Sequence, residues 1–492
     1  MSEIKKLGKH TLIYGLGGII SKTGAFILLP LYTNYLSVGE YGVLELLYMT
    51  SSIVTLFLGR QIAHATLRFY YEYDGEREKN SVISTSFLAY TTVAIVILTI
   101  LSLNASYFSR YLFSDLEYIQ HFYVVFIGLY FNLSKEIFLA YVRALEKAFF
   151  YVIVSIAELI LKVIICIWLV AYLDMGVLGV LLGNLCGDII AWCILFCVTF
   201  KNCGFNFASD KIAEIFKYAF PLMLVGISGS VISNADKFFL KNYSTVEAVG
   251  LYGLAMRFAS ILRFLVVNPF TRAYGPFRFS IMKQDNARQI YSRVATYFIF
   301  ICVWACLIIA AFTSEIIMLM ADKAYWEASS VVPILLVSVL SGSGLYYIFQ
   351  TGVYVQKSTK VLSYVFLTAA IVDIFLMIML IPKYGLLGAA ISQAVVHVFI
   401  AILGLYFSNR VYVIEYNWKE IITIKVVGLI YVLATFFVYT QNPLYSLLIK
   451  IPIVLSFPVF IILFGVFTSD EKRKIYTFLQ CHKNKIFHKG TI

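Results

Sequence analysis

Residues 233–276 read SNADKFFLKNYSTVEAVGLYGLAMRFASILRFLVVNPFTRAYGP. Most of this stretch is apolar, yet it carries Asp236, Lys237, Lys241, Arg257, Arg263 and Arg272. The surrounding chain decides how to read it. Of the 492 residues, 61% are hydrophobic and 13% are charged, whereas a soluble domain carries about 25% charged residues. Continuous apolar runs of roughly twenty residues recur, without the alternation a membrane barrel strand needs. In lipid, only helix satisfies the backbone of such runs. The fold class is therefore all-α, a polytopic membrane protein. An ionisable side chain at mid-bilayer costs about 2.5–3.5 kcal/mol on insertion scales, so these charges should face protein or a wet cavity.

About fourteen transmembrane helices are expected when each needs about 20 apolar residues. They fall at 11–36, 43–66, 82–103, 118–142, 150–173, 177–200, 219–241, 250–274, 294–320, 328–352, 361–381, 385–407, 421–440 and 446–467. The first ten residues, MSEIKKLGKH, run straight into a Gly-rich span holding Lys22, which reads as a first helix rather than a cleaved signal. Alternate loops hold twenty-four Lys and Arg on one side against Arg110, Lys323 and Lys383 on the other. By the positive-inside rule both termini are cytoplasmic. The formal charge of +12 is read mainly as this bias, not as a nucleic-acid surface. Eight cysteines show no CxxC spacing, so neither metal nor disulfide framework is indicated, and no cofactor is expected.

The opening stretch also repeats an earlier pattern. VGEYGVLEL, with Gly39, Tyr41 and Gly42, returns as VGLYGLAMR, with Gly250, Tyr252 and Gly253. Later in each half, Gly176-Val-Leu-Gly179 parallels Gly385-Leu-Leu-Gly388, which sets Asn184 opposite Gln393 and Asp188 opposite His397. The same glycine spacing also starts any tightly packed membrane helix. Taken as a repeat, it gives two pseudo-symmetric six-helix lobes: residues 1–200 with helices 1–6, and 201–410 with helices 7–12. Residues 411–467 add helices 13 and 14, and 468–492 form a basic cytoplasmic tail near anionic lipid.

Within the spans, Gly15, Gly18, Lys22 and Ala25 share one helical face. Arg60 and His64 are one turn apart. Asn132, Glu136 and Arg143 share a face, with Lys135 beside them, and Glu158 and Lys162 have the favourable i, i+4 order for an ion pair. Asp188 and His397 are single titratable groups of the kind a proton-coupled carrier uses, with interhelical hydrogen bonding as the competing use; Asp373 is read the same way. Arg257 and Arg263 have no acid within a turn; Asp236 or Glu158 from another helix would supply one. Without such a partner, guanidinium groups in a cavity suit an anion, because Arg stays charged and grips phosphate with parallel donors. Arg272 sits at the expected cytoplasmic end. Lys22, Arg60, Arg257, Arg263 and Arg272 are the candidate substrate contacts, and Asp188 and His397 the candidate coupling groups. No Walker A sequence is present, and the short outer loops lack the clustered carboxylates of a glycan polymerase.

GGIISKTGAFILLPLYTNYLSVGEYG, ADKFFLKNY and VGLYGLAMRF resemble polysaccharide-biosynthesis flippases of the O-antigen (Wzx) type. These belong to the multidrug/oligosaccharidyl-lipid/polysaccharide exporter superfamily. The resemblance implies a non-enzymatic, alternating-access flippase in the bacterial inner membrane. Its substrate would be an undecaprenyl-diphosphate-linked oligosaccharide, held in a cationic interior. The implied partners are that lipid-linked oligosaccharide, membrane lipids, H+ or Na+ as coupling ion, and other polysaccharide-assembly membrane proteins, with no nucleic acid. A cation-coupled multidrug exporter of the same superfamily is the alternative, and the intramembrane arginines count against it. A membrane polymerase or ligase is a further alternative.

Overall fold

The computed structural model describes residues 26–58, 61–356, 358, 360–438, 442–468 and 471–473, and these are almost entirely helical. Ten helices among the described residues are long and apolar enough to cross a membrane. Most of the expected span 11–36, including Lys22, lies outside the described residues, as does Arg60. The expected span 43–66 falls on two helices, Val38–Phe57 and Ile62–Glu72. The expected spans 361–381 and 385–407 fall on one run, Lys360–Val411, that turns at Gly385.

The two glycines matched in the repeat share an unusual backbone. Gly176 has φ 51° and Gly385 has φ 50°, a region that glycine enters without steric cost. Each opens a helix that packs closely on the preceding one. A Cβ at Gly179 would lie 3.2 Å from the Leu169 carbonyl, and one at Gly388 would lie 2.4 Å from the Leu380 carbonyl.

The chain divides into two compact units. The first holds residues 1–255, 320–331 and 363–396. One of its aromatic cores packs Phe87 and Phe138 against Trp192, Phe196 and Phe200. The Val38–Phe57 helix starts at a capping box, in which Ser37 Oγ accepts from the Glu40 N–H and Glu40 accepts from the Ser37 N–H. Here the two copies of the Gly-x-Tyr-Gly pattern meet. A Cβ on Gly42 would lie 2.0 Å from the Val246 carbonyl oxygen, and one on Gly250 would lie 2.4 Å from that of Val38. Backbone therefore rests on backbone, as small residues permit in membrane helices. The Tyr325 hydroxyl bonds the carbonyls of Leu36 and Ser37 at 2.9 Å each, and its ring stands edge-on to Tyr41.

The second unit holds residues 256–319, 332–362 and 397–492. Lys450 and Glu315 pair within it, 2.5 Å apart and buried, with Ser446 donating to the same carboxylate. Arg293 joins three segments by bonding Glu420 at 2.6 Å, the Val466 carbonyl at 3.1 Å, and Glu471.

Candidate functional site

The first unit contains a cavity of about 820 Å3. Its wall is unusually polar for an apolar helical unit: Tyr48, Ser51, Ser52, Thr55, Asn132, Glu136, Lys162, Asn184 and Asp188 all reach it.

The ionic part of that wall is built by glycines on the Gly176–Cys203 helix. Gly183 and Gly187 face the Ala148–Ile167 helix, and a Cβ on Gly187 would lie 2.3 Å from Lys162 Cγ. With no side chain there, the Lys162 stem lies flat and its Nζ reaches Asp188 Oδ1 at 3.0 Å. Lys162 also pairs with Glu158 at 2.7 Å, the i, i+4 partner expected from the sequence. Lys135, from the Ile119–Ala144 helix, closes the ring. Its Nζ lies 2.7 Å from Glu158 and 2.5 Å from Asp188, and the side chain is buried. Asn132 Nδ2 donates to the same Asp188 oxygen at 3.2 Å. Two lysines and two carboxylates neutralise one another, which is what permits four charges inside an apolar helix bundle.

Lys135 is the member that sequence reasoning passed over. It lay beside the Asn132 face, and only the packing of three helices reveals its partners. Asn184 Nδ2 donates to Tyr48 Oη at 3.2 Å on the same wall.

A second cluster lies in the first unit. Asp236 and Asp373 are both buried and within electrostatic reach of each other and of the buried Tyr252. The Lys237 N–H donates to Asp236 at 2.8 Å. Lys237 itself turns to Glu45 at 2.7 Å. Asp373 Oδ1 is buried without a hydrogen-bond partner among the described residues. The neighbouring charges of the opening stretch thus part company: Asp236 goes inward to Tyr252 of the repeated turn, and Lys237 to Glu45 of the first copy.

The remaining candidates lie in the second unit. His397 Nδ1 shares a hydrogen bond with Ser338 Oγ at 3.1 Å, and a Cβ on Gly342 would lie 1.9 Å from the His397 ring. Arg257 and Arg263 are half-buried, and Arg272 is exposed. Arg263 Nε has no hydrogen-bond partner among the described residues. Glu158 pairs with two lysines, and Asp236 accepts from the Lys237 N–H. Lys22 and Arg60 lie outside the described residues.

Residues 7–283, more than half the chain, match the model of the family described as "Polysaccharide biosynthesis protein". The chain belongs to that family. The sequence resemblance therefore pointed correctly. One relative in the curated proteins is an uncharacterized membrane protein of Haemophilus influenzae, 22% identical over 286 residues, covering 57% of this chain and 67% of the relative. Among solved structures, the lipid II flippase MurJ in an inward closed conformation superposes with a TM-score of 0.73 at 15% identity. That match covers 91% of this chain and 98% of MurJ. A multidrug resistance MATE transporter of the MOP superfamily, inward-facing, gives 0.58 at 15% identity, covering 85% and 95%. This polysaccharide biosynthesis protein has the multi-pass helical fold that MurJ and MATE share.

Proposed function

We propose that this chain is a flippase for an undecaprenyl-diphosphate-linked oligosaccharide, an O-antigen or other surface-polysaccharide unit. It works in the bacterial inner membrane by alternating access, with both termini cytoplasmic and helices 1–6 and 7–12 as paired lobes. The reading rests above all on one observation: a family member in polysaccharide biosynthesis has an open, polar-lined cavity of about 820 Å3 among apolar helices. A glycan and its diphosphate cannot cross hydrocarbon; a hydroxyl- and amide-lined chamber replaces their water, while the lipid tail stays in the bilayer. MurJ, whose name declares lipid II as its cargo, shares the fold.

The cationic contacts for the diphosphate are Lys22, Arg60, Arg257, Arg263 and Arg272. The coupling groups for H+ or Na+ are Asp188 and His397, single ionisable side chains on helices of the apolar bundle.

Arg257→Ala and Arg263→Ala are each expected to cut surface glycan and make the lipid-linked intermediate accumulate. The loss should be about tenfold or more, that of one charge-assisted hydrogen bond. Arg→Lys at either position is expected to restore part of it, because charge is kept and the fork is lost. Normal glycan and intermediate levels in both Ala variants would remove the two arginines from the substrate path.

A further inference from the structure

Arg278 belongs to one of the Lys- and Arg-rich segments of the sequence, and its side chain is buried. It lies in the last turn of the Asn268–Ser280 helix and is only 5% exposed. The guanidinium carbon sits 3.9 Å from the ring centroid of Tyr354, 4.9 Å from Phe279 and 5.4 Å from Tyr347. One wall of this box and the arginine's own backbone are fastened. Tyr347 donates to the Thr271 carbonyl at 3.0 Å, and Tyr291 donates to the carbonyl of Arg278 at 2.5 Å. Ring faces satisfy a guanidinium face through cation–π attraction, but they offer nothing to its in-plane N–H donors. Nε and Nη1 are buried without a hydrogen-bond partner among the described residues. Buried charge normally comes with a counter-ion and filled hydrogen bonds, since leaving it bare is costly.

The surroundings are basic as well. Lys283 is exposed on the following turn and Arg288 at the start of the next helix, where it lies over Tyr412 at 4.9 Å from its ring centroid. We propose that Arg278 is a phosphate-receiving site of the second unit, with the tyrosine box holding the guanidinium ready and Lys283 and Arg288 drawing the anion in. The phosphate comes either from the diphosphate of the lipid-linked oligosaccharide or from a phospholipid headgroup. The first source rests on the flippase reading; the second does not.

The test is binding by the purified full chain in phosphatidylcholine nanodiscs, with geranylgeranyl diphosphate as the probe. Wild type should bind it, and Arg278→Gln should weaken binding by about tenfold, the loss of a charge-assisted hydrogen bond. Arg278→Lys keeps the charge without the fork and should fall between; it carries the test if the Gln variant does not fold. Repeating the titration with phosphatidylglycerol in the discs separates the sources. Displacement of the probe identifies the headgroup as occupant, and persistence identifies the diphosphate lipid. Equal affinity in wild type, Arg278→Gln and Arg278→Lys overturns the site and leaves the flippase reading untouched. Absence of binding by wild type to either lipid overturns the site as well. Intact, Arg278-dependent binding in a chain that fails to move substrate would instead sink the flippase reading alone.

Discussion

Lys135→Met should destabilise the protein by about 3–5 kcal/mol, the usual cost of removing one partner from a buried ion pair. Lys135 reaches both carboxylates of the cavity network, Glu158 at 2.7 Å and Asp188 at 2.5 Å. Without it, two carboxylates remain against Lys162 alone, in a place where water cannot fully replace the lost charge. Methionine has similar volume, so packing is nearly conserved and the loss reports charge. The measurement is equilibrium unfolding of the chain in a bilayer mimic, beside the double variant Lys135→Met with Asp188→Asn. Removing both charges restores neutrality, so the double variant should recover part of the loss, a coupling of the kind seen for residues in contact. A single variant as stable as wild type would show that the network does not hold these three helices together.

The second large effect concerns the repeated turns. Gly42→Ala and Gly250→Ala each place a methyl group 2.0 Å and 2.4 Å, respectively, from a carbonyl oxygen of the other turn. No side-chain rotation relieves this, because both atoms are backbone. The helices must separate, at a cost of at least the 1–3 kcal/mol or so typical of overpacking. Gly128 provides the contrast: it lies in a helix with nothing within 4 Å of a built Cβ. There Gly→Ala should be neutral or stabilising by roughly 0.5–1 kcal/mol, from helix propensity. Thermal midpoints of the three variants decide the matter. Gly42→Ala and Gly250→Ala as stable as Gly128→Ala would mean that the turns do not interlock as described.

Much of this was legible in the sequence, for reasons that can be named. Spans announce themselves by length and hydropathy, because lipid leaves helix as the backbone's solution. The glycines at 39, 42, 250 and 253 stood out as a recurring pattern, and Gly176 and Gly385 have φ 51° and 50°. Glu158 with Lys162 was legible because i, i+4 neighbours meet on any helix. What did not show were contacts between helices distant in sequence. Lys135 is 53 residues from Asp188, and Asp236 lies beside Lys237 in sequence but does not share its partner. The cover over Arg278 is of the same kind, since Tyr347 and Tyr354 are distant from it in sequence.

Carriage of a diphosphate-linked glycan lipid across a bilayer, the function proposed for this polysaccharide biosynthesis protein, is measured most directly in proteoliposomes holding the purified chain and a fluorescent polyprenyl-diphosphate oligosaccharide, with an impermeant quencher reporting the exposed leaflet. The protein is expected to expose the inner-leaflet pool far faster than protein-free vesicles do, and Arg257→Ala and Arg263→Ala to slow it. An inner-leaflet pool that stays as protected as in protein-free vesicles, while the same vesicles export an organic cation, would show a drug exporter and not a flippase.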